Sequence, residues 1–183
     1  MPETTYRGEY IMGRRSIKEK KNIYQECREA AEMTRAEASE AMEFISDSRI
    51  EKIESEKSLP HPEEVLAMAK AYKDPSLCNY FCTHECPIGE KYVPEAKNSE
   101  LSQIILEVLA SLNTLERNKD RLIEISADGE ISRDEVTDFV RIRTSLKEIA
   151  QAVYSLQLWS DNKVAMGKID PTLLAQAEAL LKK

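Results

Sequence analysis

The chain has 183 residues, of which 42% are hydrophobic, 32% charged and only 6% aromatic, with five glycines. This excludes a disordered composition and favours long surface helices over a β-sandwich. The formal charge of -7 excludes a protein that coats nucleic acid by charge alone, though not a small reader with a local basic surface.

The length allows one or two domains and a core that needs no staples. No apolar signal core or bilayer-long apolar run is visible, so a cytoplasmic location and no membrane association are expected. Four cysteines in that compartment should be reduced or bound to metal.

Residues 1–16 read as a flexible basic arm. Arg14, Arg15, Lys18, Lys20 and Lys21 suit either phosphate contact or a solvated terminus. A first helix is expected from about Ile17 to Glu32, burying Ile23, Cys27, Ala30 and Ala31. Cys27 then serves as a small core residue. From Met33 to Lys57 the pattern is two short helices joined by a tight turn. Thr34 can cap the first, whose Ala38, Ala41 and Met42 share a face. Ser46 can cap the second, whose Ile50 and Ile53 share a face. This is a helix-turn-helix pattern, in which the second helix is offered to the major groove of DNA. Pro60 and Pro62 then position a helix that buries Val65, Leu66, Met68, Ala69 and Tyr72. Asp74 and Pro75 end it.

From about Ile23 to Pro75 the chain resembles the lambda-repressor/Cro-like (XRE) helix-turn-helix family. The resemblance is carried by Thr34-Arg35-Ala-Glu, by Ile45-Ser46, by Arg49-Ile50-Glu51-Lys52-Ile53-Glu54, and by Lys57 ahead of the proline-led helix. It implies an all-α domain of four or five helices over residues 17–75. It also implies that Arg35 contacts phosphate and that Ser46, Asp47, Ser48, Arg49, Lys52 and Lys57 face bases and backbone. Two departures stand out. The turn Glu43-Phe44-Ile45 is one residue longer than usual and lacks a glycine. The second helix also carries Asp47, Glu51, Glu54 and Glu56. Carboxylates repel phosphates, although Asp or Glu can accept from cytosine N4.

Residues 76–97 form a Cys-rich segment and linker. Cys78, Cys82, His84 and Cys86 offer four soft ligands, a set that suits zinc or, with Pro87 adjacent, an iron–sulfur cluster. Cys78 and Cys82 share a helical face, whereas His84 converges with them only if the helix breaks near Thr83. The alternative is that the cysteines are packing residues and no cofactor is held. Glu90 to Lys97 is the candidate domain boundary.

Residues 98–183 read as a long antiparallel helical hairpin for dimerisation or partner binding. Leu101, Ile105, Val108, Leu112, Leu115 and Leu122 step at heptad spacing, widened by Ile104, Leu109 and Ile123. Phe139, Ile142, Leu146, Ile149, Val153 and Leu156 form a second series. Between them Asp128-Gly129 makes a turn, and Ser132 with Glu135 forms a capping box. Arms of roughly 25 residues reach ~35–40 Å. Glu124, Ser126, Asp128, Ile131 and Glu135 also fall in a partial calcium-loop register, which an ordinary capped turn explains equally. The apolar stripe is too wide for one hairpin. Either a second copy covers it, or the last helix, Pro171 to Leu181, completes a bundle.

No catalytic constellation is present: the chain has two histidines, His61 and His84, and no phosphate-binding glycine loop or HExxH. The expected function is therefore a non-enzymatic, sequence-specific regulator that binds double-stranded DNA as a homodimer. The alternatives are an interaction adaptor that has lost DNA binding, and a metal- or redox-responsive regulator acting through the cysteines.

Overall fold

The computed structural model describes residues 21–125, 127 and 129–181, and among these every regular element is a helix. Ile17, the basic-arm residues before Lys21, and Ser126 and Asp128 of the calcium-like register lie outside the described residues. The helices are α1 (Ile23–Ala30), α2 (Arg35–Met42), α3 (Asp47–Glu54), α4 (Pro62–Ala71) and α5 (Ser76–His84). They continue with α6 (Pro87–Tyr92), α7 (Leu101–Arg117), α8 (Lys119–Ile125), α9 (Val136–Ala165) and α10 (Pro171–Leu181).

Helix α1 starts at Ile23 because Asn22 caps it: its side-chain oxygen accepts from the Gln25 N–H at 3.0 Å. Thr34 and Ser46 cap α2 and α3 as expected, and Glu37 closes the Thr34 capping box. Glu64 reaches back in the same way to the His61 N–H, with Pro62 in the first turn of α4. Three of these helices end without glycine. Glu32, Glu56 and Lys73 take φ of 59°, 60° and 55°. Beyond each, a 6→1 backbone bond closes the helix: Met33 to Arg28, Lys57 to Lys52, and Asp74 to Ala69. These are Schellman closures with charged side chains in the left-handed position that glycine would fill without Cβ strain.

One core unites α1 to α5. Tyr24, Cys27, Ala38, Met42, Ile45, Ile50, Ile53, Val65, Met68, Ala69, Tyr72 and Leu77 are buried together. Leu66 is 62% exposed: it falls on the outer face of α4, between Val65 and Met68. Cys78 and Phe81 pack against the same core, and the Tyr24 hydroxyl donates to Glu85 at 2.8 Å. The cysteine segment is thus part of the N-terminal unit rather than a loose connection. Gly89 is required where α6 meets α5, since a Cβ there would lie 1.9 Å from the Cys82 carbonyl oxygen.

The C-terminal helices pack differently. The Lys97 N–H donates to Ser155 at 2.9 Å and Arg121 pairs with Asp138 at 2.8 Å, so α9 runs back alongside α7 and α8. The continuous helix expected to Leu122 breaks at Asn118 and restarts as α8. Ser132 bonds Glu135 through its N–H and hydroxyl, but α9 begins only at Val136. The buried contact residues are Ile104, Ser111, Ile125, Ile142, Ser145, Ala152, Ser155 and Leu158. The three serine hydroxyls bond the carbonyls four residues before them, so their burial leaves no polar atom unsatisfied. Small side chains bring the two axes close. Leu101, Ile105, Leu112, Leu146 and Val153, expected on the seam, remain exposed. No residue of α10 is buried.

Candidate nucleic-acid interface

The helix-turn-helix is assembled by local bonds. At the end of α2, Glu43 has φ 60° and ψ -48°, and the Phe44 N–H donates to the Met42 carbonyl at 2.7 Å. This is a γ-turn of the rare positive-φ kind, which accommodates the extra turn residue without glycine. Phe44 is left exposed while Ile45 plugs the core. The Ser39 hydroxyl donates to the Ile45 carbonyl at 2.8 Å and ties the turn to α2. Ser46 then accepts from the Arg49 N–H and starts α3.

Burial of Ile50, Ile53 and Glu54 fixes the rotation of α3. Asp47, Ser48, Glu51 and Lys52 are left exposed, as are Ser46 and Lys57 at its ends. Asp47 accepts from the Ser48 N–H at 2.6 Å, and the Ser46 and Ser48 hydroxyls are 3.1 Å apart. The first turn is therefore an ordered polar edge.

Two charged residues of α3 do not face outward. Glu54 is buried beneath α1 and α2. It accepts from Arg28 through both oxygens, at 2.9 Å from Nη2, and from Arg35 Nε at 2.8 Å. Arg28 also donates to the Met33 carbonyl at 2.7 Å, so one carboxylate ties α3 to the start of α2. Although burial opposes its charge, Glu54 holds the Arg28 guanidinium more firmly protonated than usual. Glu54 is thus removed from the set of carboxylates that would repel phosphate. Arg35 keeps 40% of its side chain exposed, so Glu54 orients it without hiding it.

Arg49 was expected to face DNA, but its guanidinium turns toward α4. It donates to both Glu64 oxygens at 2.7 Å, to the Ser58 hydroxyl at 2.6 Å and to the Leu59 carbonyl at 2.9 Å. That hydrogen bonding holds the Glu64 carboxyl below the usual range. Of the expected DNA-facing set, Ser46, Asp47, Ser48, Lys52 and Lys57 form the open edge, Arg35 flanks it, and Arg49 is a strut behind it. The Glu54 site had a local signal, since it shares a helical face with Ile50 and Ile53. The Arg49–Glu64 pair had none, because its partners lie fifteen residues apart across a loop.

The cysteine segment does not gather a ligand set. His84 stacks on Tyr80 with ring centroids 4.4 Å apart. Its Nδ1 lies 3.1 Å from the Tyr80 carbonyl, and its Nε2 lies 3.7 Å from Glu95. Cys86 caps α6, its Sγ accepting from the Gly89 N–H at 3.5 Å. Burial raises the Cys78 and Cys82 thiols, with neighbouring thiols adding to it. Among the described residues no three of His, Cys, Asp or Glu are placed to hold a metal ion. In this arrangement Cys78, Cys82, His84 and Cys86 are not gathered into one ligand group.

The geometry defines an all-α domain that offers the exposed edge of a short helix, held behind a capped helix and a tight turn. Residues 25–73 match the family described as helix-turn-helix, and the domain they form is of the Cro/C1, or XRE, type. The match begins within α1, ends just past α4 and covers about a quarter of the chain. That family is one of DNA-binding domains of transcriptional regulators and is generally not enzymatic. No curated protein and no solved structure matches the chain. Among the described residues no helix is long and apolar enough to cross a membrane.

Proposed function

We propose that this protein is a sequence-specific transcriptional regulator that reads double-stranded DNA with α3 and binds as a homodimer. The observation that carries the proposal is the open edge of α3. Ser46, Ser48 and Lys52 stand clear of the fold, while Arg28, Arg49, Glu54 and Glu64 lock the helix from behind. Rigid placement of a few polar side chains is what base-edge recognition demands. Arg35 and Lys57 flank the edge as phosphate contacts. Residues after α6 supply assembly, since α7 to α10 leave many large aliphatic side chains in solvent.

Selection of bound duplexes from a random pool tests both parts. The expected product is a site of two symmetry-related halves spaced by about one helical turn, ~10 base pairs. Absence of any enriched sequence would refute DNA reading, and an unpaired half-site would refute the dimer. Lys52→Ala should weaken specific binding by about 1–3 kcal/mol if Lys52 meets a base, or lower the salt dependence if it meets phosphate.

Asp47 and Glu51, both exposed on the same edge, favour a second reading: an interaction adaptor on the same fold that no longer binds DNA. Binding that is neither sequence-selective nor salt-dependent would select it.

A further inference from the structure

We propose that α10 of one copy packs across α7 and α9 of a second copy, so that the dimer forms by reciprocal exchange of the C-terminal helix. The inference rests on the dimer reading above and names the contact that would build it.

Helix α10 has eleven residues and buries none of them. A helix that short is marginal in water on its own, so its fold calls for a covering surface. Its composition calls for an apolar one: Glu178 is the single charge between Pro171 and Leu181. Leu173, Leu174, Ala177, Leu180 and Leu181 fall within one broad helical stripe, and the four leucines are exposed.

The complementary surface lies on the same chain. Leu101, Ile105 and Leu112 on α7, and Leu146 and Val153 on α9, are exposed rows at helix-packing spacing. They are exposed because the seam between α7 and α9 is filled by Ile104, Ser111, Ile142, Ser145, Ala152 and Ser155 instead. The turn at Gly167, with φ 68°, and the five residues Met166 to Asp170 lead α10 away from α9. A chain that carries both the apolar helix and the uncovered rows closes both deficits when two copies exchange. Reciprocal exchange is a two-fold contact, so it ends at the dimer rather than propagating.

Three measurements on the full chain decide the matter. In analytical ultracentrifugation the protein should be a dimer at micromolar concentration. Deletion of residues 171–181, or the pair Leu174→Glu with Leu181→Glu, should raise the dimer dissociation constant by about 100-fold or more. The stability of α1–α5 should be unchanged, because α10 buries nothing there. A photo-crosslinking side chain at position 174, in a mixture of isotopically heavy and light protein, should join heavy to light peptides from α7 or α9. Cross-links confined to like-labelled pairs, or a deletion variant that stays dimeric, would overturn the exchange while leaving the dimer standing. A full chain that sediments as a monomer would overturn both.

Discussion

The two halves of the molecule solve the burial problem in opposite ways. Helices α1 to α5 share one core of large side chains, including Tyr24, Ile45, Ile50, Ile53, Met68 and Leu77, each exposed by no more than 2%. The buried charges there are paired, Arg28 and Arg35 on Glu54 and Arg49 on Glu64, while the Tyr72 hydroxyl is buried without a partner among the described residues. The C-terminal helices instead mix serines and an alanine with Ile104, Ile125, Ile142 and Leu158 along their seam and leave many leucines outside. The first arrangement is complete within one chain and presents a rigid polar edge. The second is completed only by further apolar surface. The contrast teaches that α1 to α5 form a self-contained core, while α7 to α10 leave apolar surface that a partner could cover.

The largest test of that contrast is at Glu54. Glu54→Ala should destabilise the N-terminal unit by about 3–5 kcal/mol, because it strands the buried Arg28 guanidinium. Urea denaturation followed by far-UV circular dichroism measures it. Leu112→Ala on α7 should cost under about 0.5 kcal/mol in a monomer, as surface substitutions do. An equal loss at both sites would break the comparison.

Arg49→Ala should come next. It leaves the mostly buried Glu64 carboxylate with the His61 N–H but no cation, at a cost of about 1–2 kcal/mol. Its pH signature separates it from a lost DNA contact. Arg49 depresses the Glu64 carboxyl below its ordinary value of 4.5. The linked stability is present above that value and drains away as pH falls through the depressed one. Stability of the parent protein should therefore fall more steeply below about pH 4.5 than that of Arg49→Ala, and the two should converge in acid. Parallel pH curves would show that the pair contributes nothing.

The melting temperature of the C-terminal helices should rise with protein concentration, while α1 to α5 should not share the dependence unless the two halves unfold together. Calorimetry over a tenfold concentration range, expected to move the assembly transition by a few degrees, measures it.

Much of the N-terminal unit is written in short-range chemistry. Thr34 with Glu37, Ser46 with the Arg49 N–H, and Pro62 at the start of α4 act within one helical turn, so the spacing exposes them. Ile50 and Ile53 announce the inner face of α3. Glu54 lies on that same face, yet a carboxylate read by type alone looks solvated; its burial depends on Arg28, twenty-six residues away. Arg49 carries a second tie that spacing does not show, since Glu64, fifteen residues on, folds against its guanidinium. In the C-terminal helices two apolar series overlap. Leu101, Ile105 and Leu112 compete with Ile104 and Ser111 for the seam, and periodicity cannot choose between them. The paired helices seat Ile104 and Ser111 in the seam, which only their packing reveals.

The smallest expected effect lies in the turn that joins the two halves of the motif. Glu43 holds φ 60° and ψ -48° as the centre of a γ-turn. A side chain with a Cβ is strained there, and such strain costs on the order of 1 kcal/mol or more. Glycine relieves it but loosens the unfolded chain, which takes back part of the gain. Glu43→Gly should therefore stabilise the N-terminal unit by roughly 0.5–1 kcal/mol in urea denaturation. It also removes an exposed carboxylate one turn from the reading edge, so DNA affinity at low salt should rise slightly rather than fall. A destabilised variant would mean that Glu43 makes a compensating contact in the folded state. A stabilised variant with weaker DNA binding would mean that the strained turn itself sets the angle at which α3 meets the groove.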